Sequence, residues 1–170
     1  MKYWDFRDSS KPRYDYIAYT DGSYLLRKNF GASACIVLDG EASGICYKWT
    51  EVSRYSTSNR QEIAAIIHAL LHTPEGSSVL VRSDSENGIA QLSGQVRSKK
   101  DFDLVQLYRK VKKERALQVQ LEWVRSHSGD RWNDHVDDLC MEALDLYEAK
   151  GVHVREGVDP DALISYICKQ

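Results

Sequence analysis

Apolar and polar residues alternate over residues 14–20, and this run ends in the string Thr20-Asp21-Gly22-Ser23. A period of two is typical of a β-strand, so the pattern predicts a strand with Asp21 at its carboxyl end. Asp-Gly is also the commonest pair in tight turns, so this ending taken alone more often marks an ordinary turn. The rest of the chain has to decide between the two interpretations.

Two further extended runs follow at residues 30–38 and 41–49, separated by Asp39-Gly40. A two-residue Asp-Gly connection between apolar runs is a strong hairpin signal. The first part of the chain therefore predicts three antiparallel strands.

A helical pattern comes next, in which apolar residues recur at helical spacing, namely Ile63, Ile66, Ile67, Leu70 and Leu71. Thr57-Ser58-Asn59 predicts the start of this helix, and Pro74 predicts its end. A short apolar strand at residues 79–81 then runs into Asp84. The order strand, helix, strand predicts a right-handed crossover with parallel pairing, which would place Asp21 beside Asp84.

The remaining pattern predicts a short helix at residues 85–92, a basic helix at 101–115, a fifth strand at 119–125 and a long helix at 133–149. The loop after the fifth strand contains His127. Pro160 favours one more short helix from Asp159. We divide the chain into an arm at residues 1–13, one domain at 14–150 and a tail at 151–170.

Composition narrows the class of protein. With 170 residues, 19.5 kDa and 42% apolar residues, the chain suffices for one packed domain. Its four cysteines lack C-x-x-C spacing, so neither a zinc site nor a disulfide framework is indicated. No apolar run approaches a membrane span, and residues 1–13 carry charges where a signal peptide is apolar. We expect a soluble, cytoplasmic monomer that does not bind membranes.

Charge is unevenly distributed along the chain. The net charge is -2, which argues against indiscriminate phosphate binding by the whole surface. Residues 97–115, however, contain eight Lys or Arg against three acidic residues. This segment is either a solvated helix face or a contact for a nucleic-acid backbone, and the sequence leaves both open.

Two further acids, Glu62 and Asp137, are predicted to point inward from the starts of helices. Glu62 precedes an apolar row on its helix, formed by Ala65, Ile66 and Ala69. Asp137 likewise precedes a row formed by Cys140, Met141 and Leu144. The other acids of that helix form a stripe typical of a solvent-facing side, namely Asp134, Asp138, Glu142 and Asp145.

These acids are predicted to share one site with His127. Ligands of open parallel sheets bind at the carboxyl ends of strands, where Asp21, Asp84 and the His127 loop are expected. Clustered carboxylates repel one another, and divalent cations resolve that repulsion. Hard oxygen ligands suit Mg²⁺ or Mn²⁺, and two such ions about 3.5–4 Å apart suit in-line attack on a phosphodiester.

The motifs that contain these acids are Thr20-Asp21-Gly22-Ser23, Asn59-Arg60-Gln61-Glu62, Asp84-Ser85, and Trp123-Val124-Arg125-Ser126-His127 with Asn133 and Asp137 downstream. In this order they resemble the type 1 ribonuclease H family, over about residues 14–149. The resemblance implies an α/β fold in which a five-stranded mixed sheet, three antiparallel strands followed by two parallel ones, has helices on both faces. It also implies an endonuclease that hydrolyses the RNA strand of RNA/DNA hybrids and leaves 5′-phosphate and 3′-hydroxyl ends, with residues 14–150 as its catalytic domain.

The resemblance also implies a role for each site residue. Asp21 would bridge two Mg²⁺ ions, for which Mn²⁺ could substitute. Glu62 and Asp84 would hold the ion at the leaving side, and Asp137 the ion that activates water. His127 would handle a proton or assist product release from a mobile loop.

Substrate selection is implied by minor-groove contacts. Gly22, Ser23 and Glu62 would meet 2′-hydroxyls of the RNA strand, which distinguish RNA from DNA. Asn59 would meet the DNA strand, and Thr57 is a candidate for holding a DNA phosphate. The chain departs from many family members at Ser58 and Glu86, and its link at residues 88–101 lacks the basic protruding helix of some bacterial members.

Three other functions compete with this one. A proofreading-type exonuclease needs a second acid two residues after the first, where this chain has Ser23. A transposase or integrase core has a similar fold, usually three acids, and DNA as its substrate. A catalytically inactive hybrid-binding module has no reason to retain all four acids.

Overall fold

Six strands form one mixed sheet in the computed structural model, which describes residues 13–151 and 154–156. The strands are β1 (Tyr16–Leu25), β2 (Phe30–Asp39), β3 (Ile45–Arg54), β4 (Ser78–Ser83), β5 (Gln118–Trp123) and β6 (Val154–Glu156). Across the sheet they lie in the order β5-β4-β1-β2-β3-β6. β1, β2 and β3 pair antiparallel, whereas β4 pairs parallel with β1 and β5 parallel with β4. The predicted arrangement of five strands is confirmed.

The strand β6 adds a short parallel pairing to β3 at the sheet edge. The sequence pattern does not predict it, because three residues are too few to show a period. The rest of the predicted arm, residues 1–12, lies outside the described residues, as does the predicted helix from Asp159. Within the described part of the chain, no helix has both the length and the apolar character required to cross a membrane.

Four helices cover the two faces of the sheet in the described residues. They are α1 (Ser58–Leu71), α2 (Glu86–Leu92), α3 (Phe102–Glu114) and α4 (Arg131–Lys150). Apolar residues of α1 and α3 form one core with β1, β2 and β4. Residues of α4 form a second core on the opposite face. All four helices lie within about two residues of their predicted bounds, because caps and apolar periodicity mark them clearly.

The strand β1 is longer than predicted, and Asp21 is not at its end. β1 continues to Leu25, and Asp21 pairs with Ala34 of β2. The parallel ladder with β4, however, ends at the pair Thr20 and Ser83. Asp21 therefore follows the last parallel pair, which is the position that matters for a site at this edge.

The predicted two-residue hairpin at Asp39-Gly40 is wrong. A loop of residues 40–44 joins β2 to β3, which begins at Ile45. The Asp39 carboxylate organises the loop, since one oxygen accepts from the backbone N–H groups of Glu41 and Ser43 and the other from the Ser43 hydroxyl. These bonds from Asp39 to its own loop replace the tight turn that the Asp-Gly pair suggests.

Candidate active site

The parallel ladder between β1 and β4 brings Asp21 and Asp84 side by side. Thr20 and Ser83 are its last partners, so the two aspartates are the next residues on neighbouring strands. Asp21 is 7% exposed, and Asp84 is half-buried. The predicted shared edge is therefore present, although β1 runs on beyond it.

A close approach of α1 to β1 brings in the third acid. A Cβ atom on Gly22 would lie 2.4 Å from the backbone nitrogen of Glu62 and 2.5 Å from the carbonyl carbon of Gln61. These distances leave no room for a side chain at residue 22. The first turns of α1 thus rest directly on β1, and the Gly22 N–H favours the charged form of the Glu62 carboxylate, which lowers its pKa against the effect of burial.

Carboxylate oxygens of Asp21, Glu62 and Asp84 all lie within 4.8 Å of one another. We call these three residues the acidic cluster. Asp137 comes from α4, and its carboxyl group is within hydrogen-bonding reach of Asp21. The structure thus brings all four predicted acids together, with Asp21 the residue that meets each of the others.

The inward face of α4 differs in one residue from the predicted row. Cys140 and Leu144 are buried as predicted, but Met141 is 53% exposed. Successive helical residues are about 100° apart, so a face centred on Cys140 turns Met141 towards solvent. The predicted outward stripe is confirmed, because Asp134, Asp138, Glu142 and Asp145 are all exposed.

Burial and mutual repulsion change the protonation of two acids in the cluster. Burial, followed by the charge of Asp84 and the contact with Asp137, raises the pKa of Asp21 from 3.8 to about 7. Burial, followed by the charges of Asp21 and Asp84, raises the pKa of Glu62 well above its usual value. Two carboxyl groups held this way favour either a proton or a nearby cation.

The cluster has the chemistry of a divalent metal site. Glu62 Oε2 is buried and has no hydrogen-bond partner. An unpaired buried carboxylate oxygen is costly unless a cation meets it. Three converging carboxylates form the hard oxygen donor set that Mg²⁺ and Mn²⁺ take, so the residues present fit such an ion.

A model of the RNase H family matches residues 13–145. The chain belongs to the RNase H family. Ribonuclease H of Anaeromyxobacter sp. (strain K) is 31% identical over 146 residues, covering 75% of this chain and 79% of that protein. Ribonuclease HI of Synechocystis sp. (strain ATCC 27184 / PCC 6803 / Kazusa) is 28% identical over 137 residues, covering 74% and 84%. Membership of this family identifies the chain as a ribonuclease-type enzyme.

Solved structures of RNase H domains share the fold. The N-terminal RNase H domain of rv2228c from Mycobacterium tuberculosis, solved as a fusion with maltose binding protein, superposes with a TM-score of 0.67 at 19% identity. The match covers 81% of this chain and 98% of that one. RNase H1 of the archaeon Halobacterium salinarum NRC-1 gives a TM-score of 0.60 at 23% identity, covering 76% and 97%.

In this RNase H family chain, His127 lies in the loop between β5 and α4. Its side chain is exposed, and its φ of 53° is in the left-handed region. The loop reaches the acidic cluster through another residue, because the Ser126 hydroxyl donates to Asp84 Oδ2 at 2.7 Å. Trp123 Nε1 also donates to the Asp84 carbonyl oxygen at 3.2 Å. Asp84 therefore fixes the start of this loop.

The predicted substrate-binding residues differ in how they are held. Gly22 is buried against α1, and Ser23 Oγ is a buried atom without a hydrogen-bond partner. Thr57 caps α1 by accepting from the Arg60 N–H at 3.1 Å. Asn59 already uses its side-chain amide, in a network described next, so the free protein presents it in a fixed orientation.

The Asn59 network spans α1, α2 and the start of α3. Its amide nitrogen donates to Gln91 Oε1 at 2.9 Å and to Asp101 Oδ2 at 2.8 Å. Its oxygen accepts from Asn87 at 3.1 Å. Arg60 pairs with Asp103 beside this network. The predicted basic helix is thus docked to the start of α1 by polar contacts.

Sequence reasoning missed a second polar group near the RNase H family site, formed by Tyr19, Arg82 and Asp130. The Tyr19 hydroxyl donates to Asp130 Oδ2 at 2.9 Å and accepts from Arg82 at 2.8 Å. Arg82 in an otherwise apolar strand was the available signal. Its partners were not visible, because strand register cannot be read from the sequence.

Proposed function

We propose that the chain is an endonuclease that hydrolyses the RNA strand of RNA/DNA hybrids with two Mg²⁺ ions, leaving 5′-phosphate and 3′-hydroxyl ends. The observation that carries this proposal is the convergence of Asp21, Glu62 and Asp84 within 4.8 Å, in a chain of the RNase H family. Asp137 against Asp21 supplies the fourth acid. Residues 14–150 would form the catalytic unit.

Each acid has a role that its position supports. Asp21 meets all three other acids, so it would contact both ions. Glu62 and Asp84 complete the acidic cluster with Asp21 and would hold the ion at the leaving oxygen. Asp137 approaches Asp21 from α4 and would hold the ion on the water side. When bound, the two ions would supply an activated water and stabilise the charge on the leaving oxygen.

The residues beside the cluster would orient the hybrid. Ser23 would meet a 2′-hydroxyl through its own hydroxyl, which has no hydrogen-bond partner among the described residues. Gly22 would let a sugar approach the backbone closely. Thr57 and Asn59 at the start of α1 would face the DNA strand, with Asn59 held ready by Gln91 and Asp101. This arrangement would discriminate hybrid from duplex DNA.

The basic segment at residues 97–115 would add backbone contacts. Arg97, Lys99 and Arg109 line a pocket of about 660 Å³ together with Phe102, which is 60% exposed. None of the three cations has an ion-pair partner among residues 13–151, whereas Arg60 nearby is paired. Unpaired cations on a concave surface favour the nucleic-acid interpretation over the solvated face.

His127 would assist from its loop, either by moving a proton or by helping product leave. Its exposed side chain fits a residue that is accessible to substrate. The anchored start of the loop at Ser126 keeps it near Asp84. The cluster itself does not depend on His127.

The test is cleavage of matched substrates. The protein is incubated with end-labelled RNA/DNA hybrid, double-stranded RNA and double-stranded DNA, with Mg²⁺ or with a chelator. We expect the RNA strand of the hybrid to be cleaved at internal positions and to leave 5′-phosphate ends. This cleavage should occur with Mg²⁺ and not with the chelator. Cleavage of duplex DNA would instead support a DNA-directed nuclease of the same fold. Hybrid binding without cleavage would indicate an inactive binding module.

A further inference from the structure

A polar network on the α4 face of the sheet lies next to the acidic cluster, and the proposed reaction does not use it. Its centre is Tyr19 of β1, which is 2% exposed. The Tyr19 hydroxyl donates to Asp130 Oδ2 at 2.9 Å and accepts from Arg82 at 2.8 Å. Arg82 Nε in turn lies 3.2 Å from Glu122 Oε1. Buried polar groups are nearly always hydrogen-bonded, and the buried Tyr19 hydroxyl follows this rule through two partners.

The network occupies the row of the sheet that adjoins the acids. Tyr19 is the register partner of Arg82, and Arg82 is the partner of Glu122, so the three residues form one row across β1, β4 and β5. Residues two apart on a strand share a face. Asp21 and Asp84 each follow this row by two positions. The two rows therefore lie side by side on the same face.

Asp130 connects this row to α4. It is the N-cap of the helix, and its Oδ1 accepts from the backbone N–H groups of Trp132 and Asn133 at 3.0 and 3.3 Å. Its other oxygen, Oδ2, accepts the hydrogen bond from the Tyr19 hydroxyl. Asp137 follows Asp130 by seven residues, which is about two helical turns, so both side chains lie on the same side of α4. The polar contacts of the helix with β1 thus include Asp130 on Tyr19, Asp137 on Asp21 and the Cys140 thiol, which donates to the Asp21 carbonyl oxygen at 3.4 Å.

We propose that Tyr19 is a positioning residue for Asp137, which it places by anchoring the start of α4 through Asp130. The anchor sets how far Asp137 stands from Asp21, and hence the geometry of the water-side metal position. This inference rests on the proposed function, because it assigns Asp137 to that position.

Apolar packing alone does not fix Asp137. Val136 and Leu144 are buried against the sheet, but apolar contacts have little directional preference, and the thiol of Cys140 is only a weak hydrogen-bond donor. A hydrogen bond to a carboxylate is directional and stronger than one between neutral groups.

The substitution Tyr19→Phe removes the hydroxyl and keeps the ring. We expect kcat for hybrid cleavage to fall roughly tenfold, the size of effect produced by one lost hydrogen bond to a charged group. KM for the hybrid should not change, because the residues proposed to bind it lie on β1, on α1 and in the basic segment, and none of them is on α4. The Mg²⁺ concentration for half-maximal rate should rise. Amide hydrogen exchange at Trp132 and Asn133 should become faster.

Two further variants separate positioning from general damage. Tyr24→Phe is the matched control, because Tyr24 also lies on β1 but its hydroxyl donates to Asn29 in the hairpin turn. It should leave kcat and exchange at the start of α4 unchanged. Asp130→Ser retains a capping hydroxyl but cannot reach Tyr19, so it should repeat the Tyr19→Phe kinetics. The kcat of the double variant, Tyr19→Phe with Asp130→Ser, should be no lower than that of either single variant, because both substitutions remove the same hydrogen bond.

The outcomes distinguish the inference from the proposed function. Unchanged kcat in Tyr19→Phe would overturn the inference, whether or not hydrogen exchange became faster. Additive losses in the double variant would do the same. If the wild type does not cleave hybrid, the proposed function fails, and the inference is decided by the Mg²⁺-induced rise in melting temperature. The Mg²⁺-induced rise in melting temperature should be smaller in Tyr19→Phe than in Tyr24→Phe. Equal rises in the two variants would overturn the inference about Tyr19.

Discussion

Asp21 and Glu62 differ from the other two acids of the site in how their charge is tolerated. Asp21 is 7% exposed, and one oxygen of Glu62 is buried without a partner. The pKa of both carboxyl groups is raised, with burial as the main cause. Asp84 instead accepts a hydrogen bond from Ser126. Repulsion between carboxylates in the folded protein is therefore greatest at Asp21 and Glu62, and a bound cation would relieve it there.

We predict that Asp21→Asn abolishes cleavage and stabilises the metal-free protein. The amide removes a ligand common to both proposed metal positions, so the rate should fall at least roughly a hundredfold. It also removes one of the converging charges, so the melting temperature measured in chelator should rise. Glu142→Gln is the matched control, because Glu142 is exposed in the middle of α4, away from both ends of the helix, and the change should affect neither quantity. Cleavage at the wild-type rate in Asp21→Asn would exclude the assigned role.

We predict that the metal-free protein loses stability as pH rises from about 4 to about 7. The pKa of Asp21 is about 7 in the folded protein and about 3.9 in an unfolded chain. Between these values the folded state binds more protons than the unfolded state, so the free energy of unfolding falls with rising pH. Glu62 shifts in the same direction and adds to the effect.

Urea unfolding in chelator at about pH 5 and about pH 8 measures this loss, which should amount to a few kcal/mol at most. Millimolar Mg²⁺ should remove most of it, because a bound cation favours the charged carboxylates. Asp21→Asn should show a smaller pH dependence than the wild type. A wild type that becomes more stable over this interval would contradict the prediction.

The four carboxylates were predictable from sequence because each follows a local rule. Asp21 and Asp84 each follow an apolar run that is typical of a strand. Glu62 and Asp137 each precede a row of apolar residues on the inward face of a helix. Contacts that depend on strand register were not predictable. Tyr19 on β1 and Arg82 on β4 are register partners, but two strands and a helix separate them in the sequence, so no local pattern relates them.

At the scale of elements, helices were predicted better than strands. The caps and periods of α1 and α4 are read from neighbouring residues, so their bounds hold within about two positions. The predicted start of β3 was wrong because hydrogen bonds to the Asp39 carboxylate stabilise a longer loop before the strand begins. β1 passes Asp21 because its antiparallel partner β2 continues after its parallel partner β4 has ended.

The contact between β1 and α1 yields a prediction for Gly22→Ala. The new Cβ would lie 2.4 Å from the Glu62 backbone nitrogen, so α1 has to move away from β1. We expect destabilisation by about 1–3 kcal/mol and a fall in kcat, since Glu62 moves with its helix. Gly44→Ala is the control, because the nearest heavy atom to its Cβ would be 3.8 Å away. Wild-type stability and rate in Gly22→Ala would show that the close approach is not needed.

At the scale of the molecule, charges of opposite sign are separated. The net charge is -2, yet residues 97–115 carry eight basic and three acidic residues. The acidic cluster repels phosphates until cations occupy it, whereas the pocket lined by Arg97, Lys99 and Arg109 attracts them. The Asn59 network joins the two regions, since Gln91 both lines the pocket and bonds to Asn59. One hybrid could therefore be held at the pocket and cut at the cluster.

This separation predicts how hybrid affinity depends on salt. Neutralising Arg97, Lys99 and Arg109 to Gln should weaken hybrid binding and make the slope of log affinity against log salt shallower by about two to three, because each lost phosphate contact releases about one counterion fewer. Binding is measured by fluorescence anisotropy in the Asp21→Asn background, which keeps the RNA intact. The control neutralises three exposed cations elsewhere, Arg27, Lys48 and Lys150, with the same change in net charge. If both triple variants make the slope shallower by the same amount, net charge explains the effect and the basic segment is a solvated face. If only the variant of Arg97, Lys99 and Arg109 has a shallower slope, the substrate backbone contacts the basic segment.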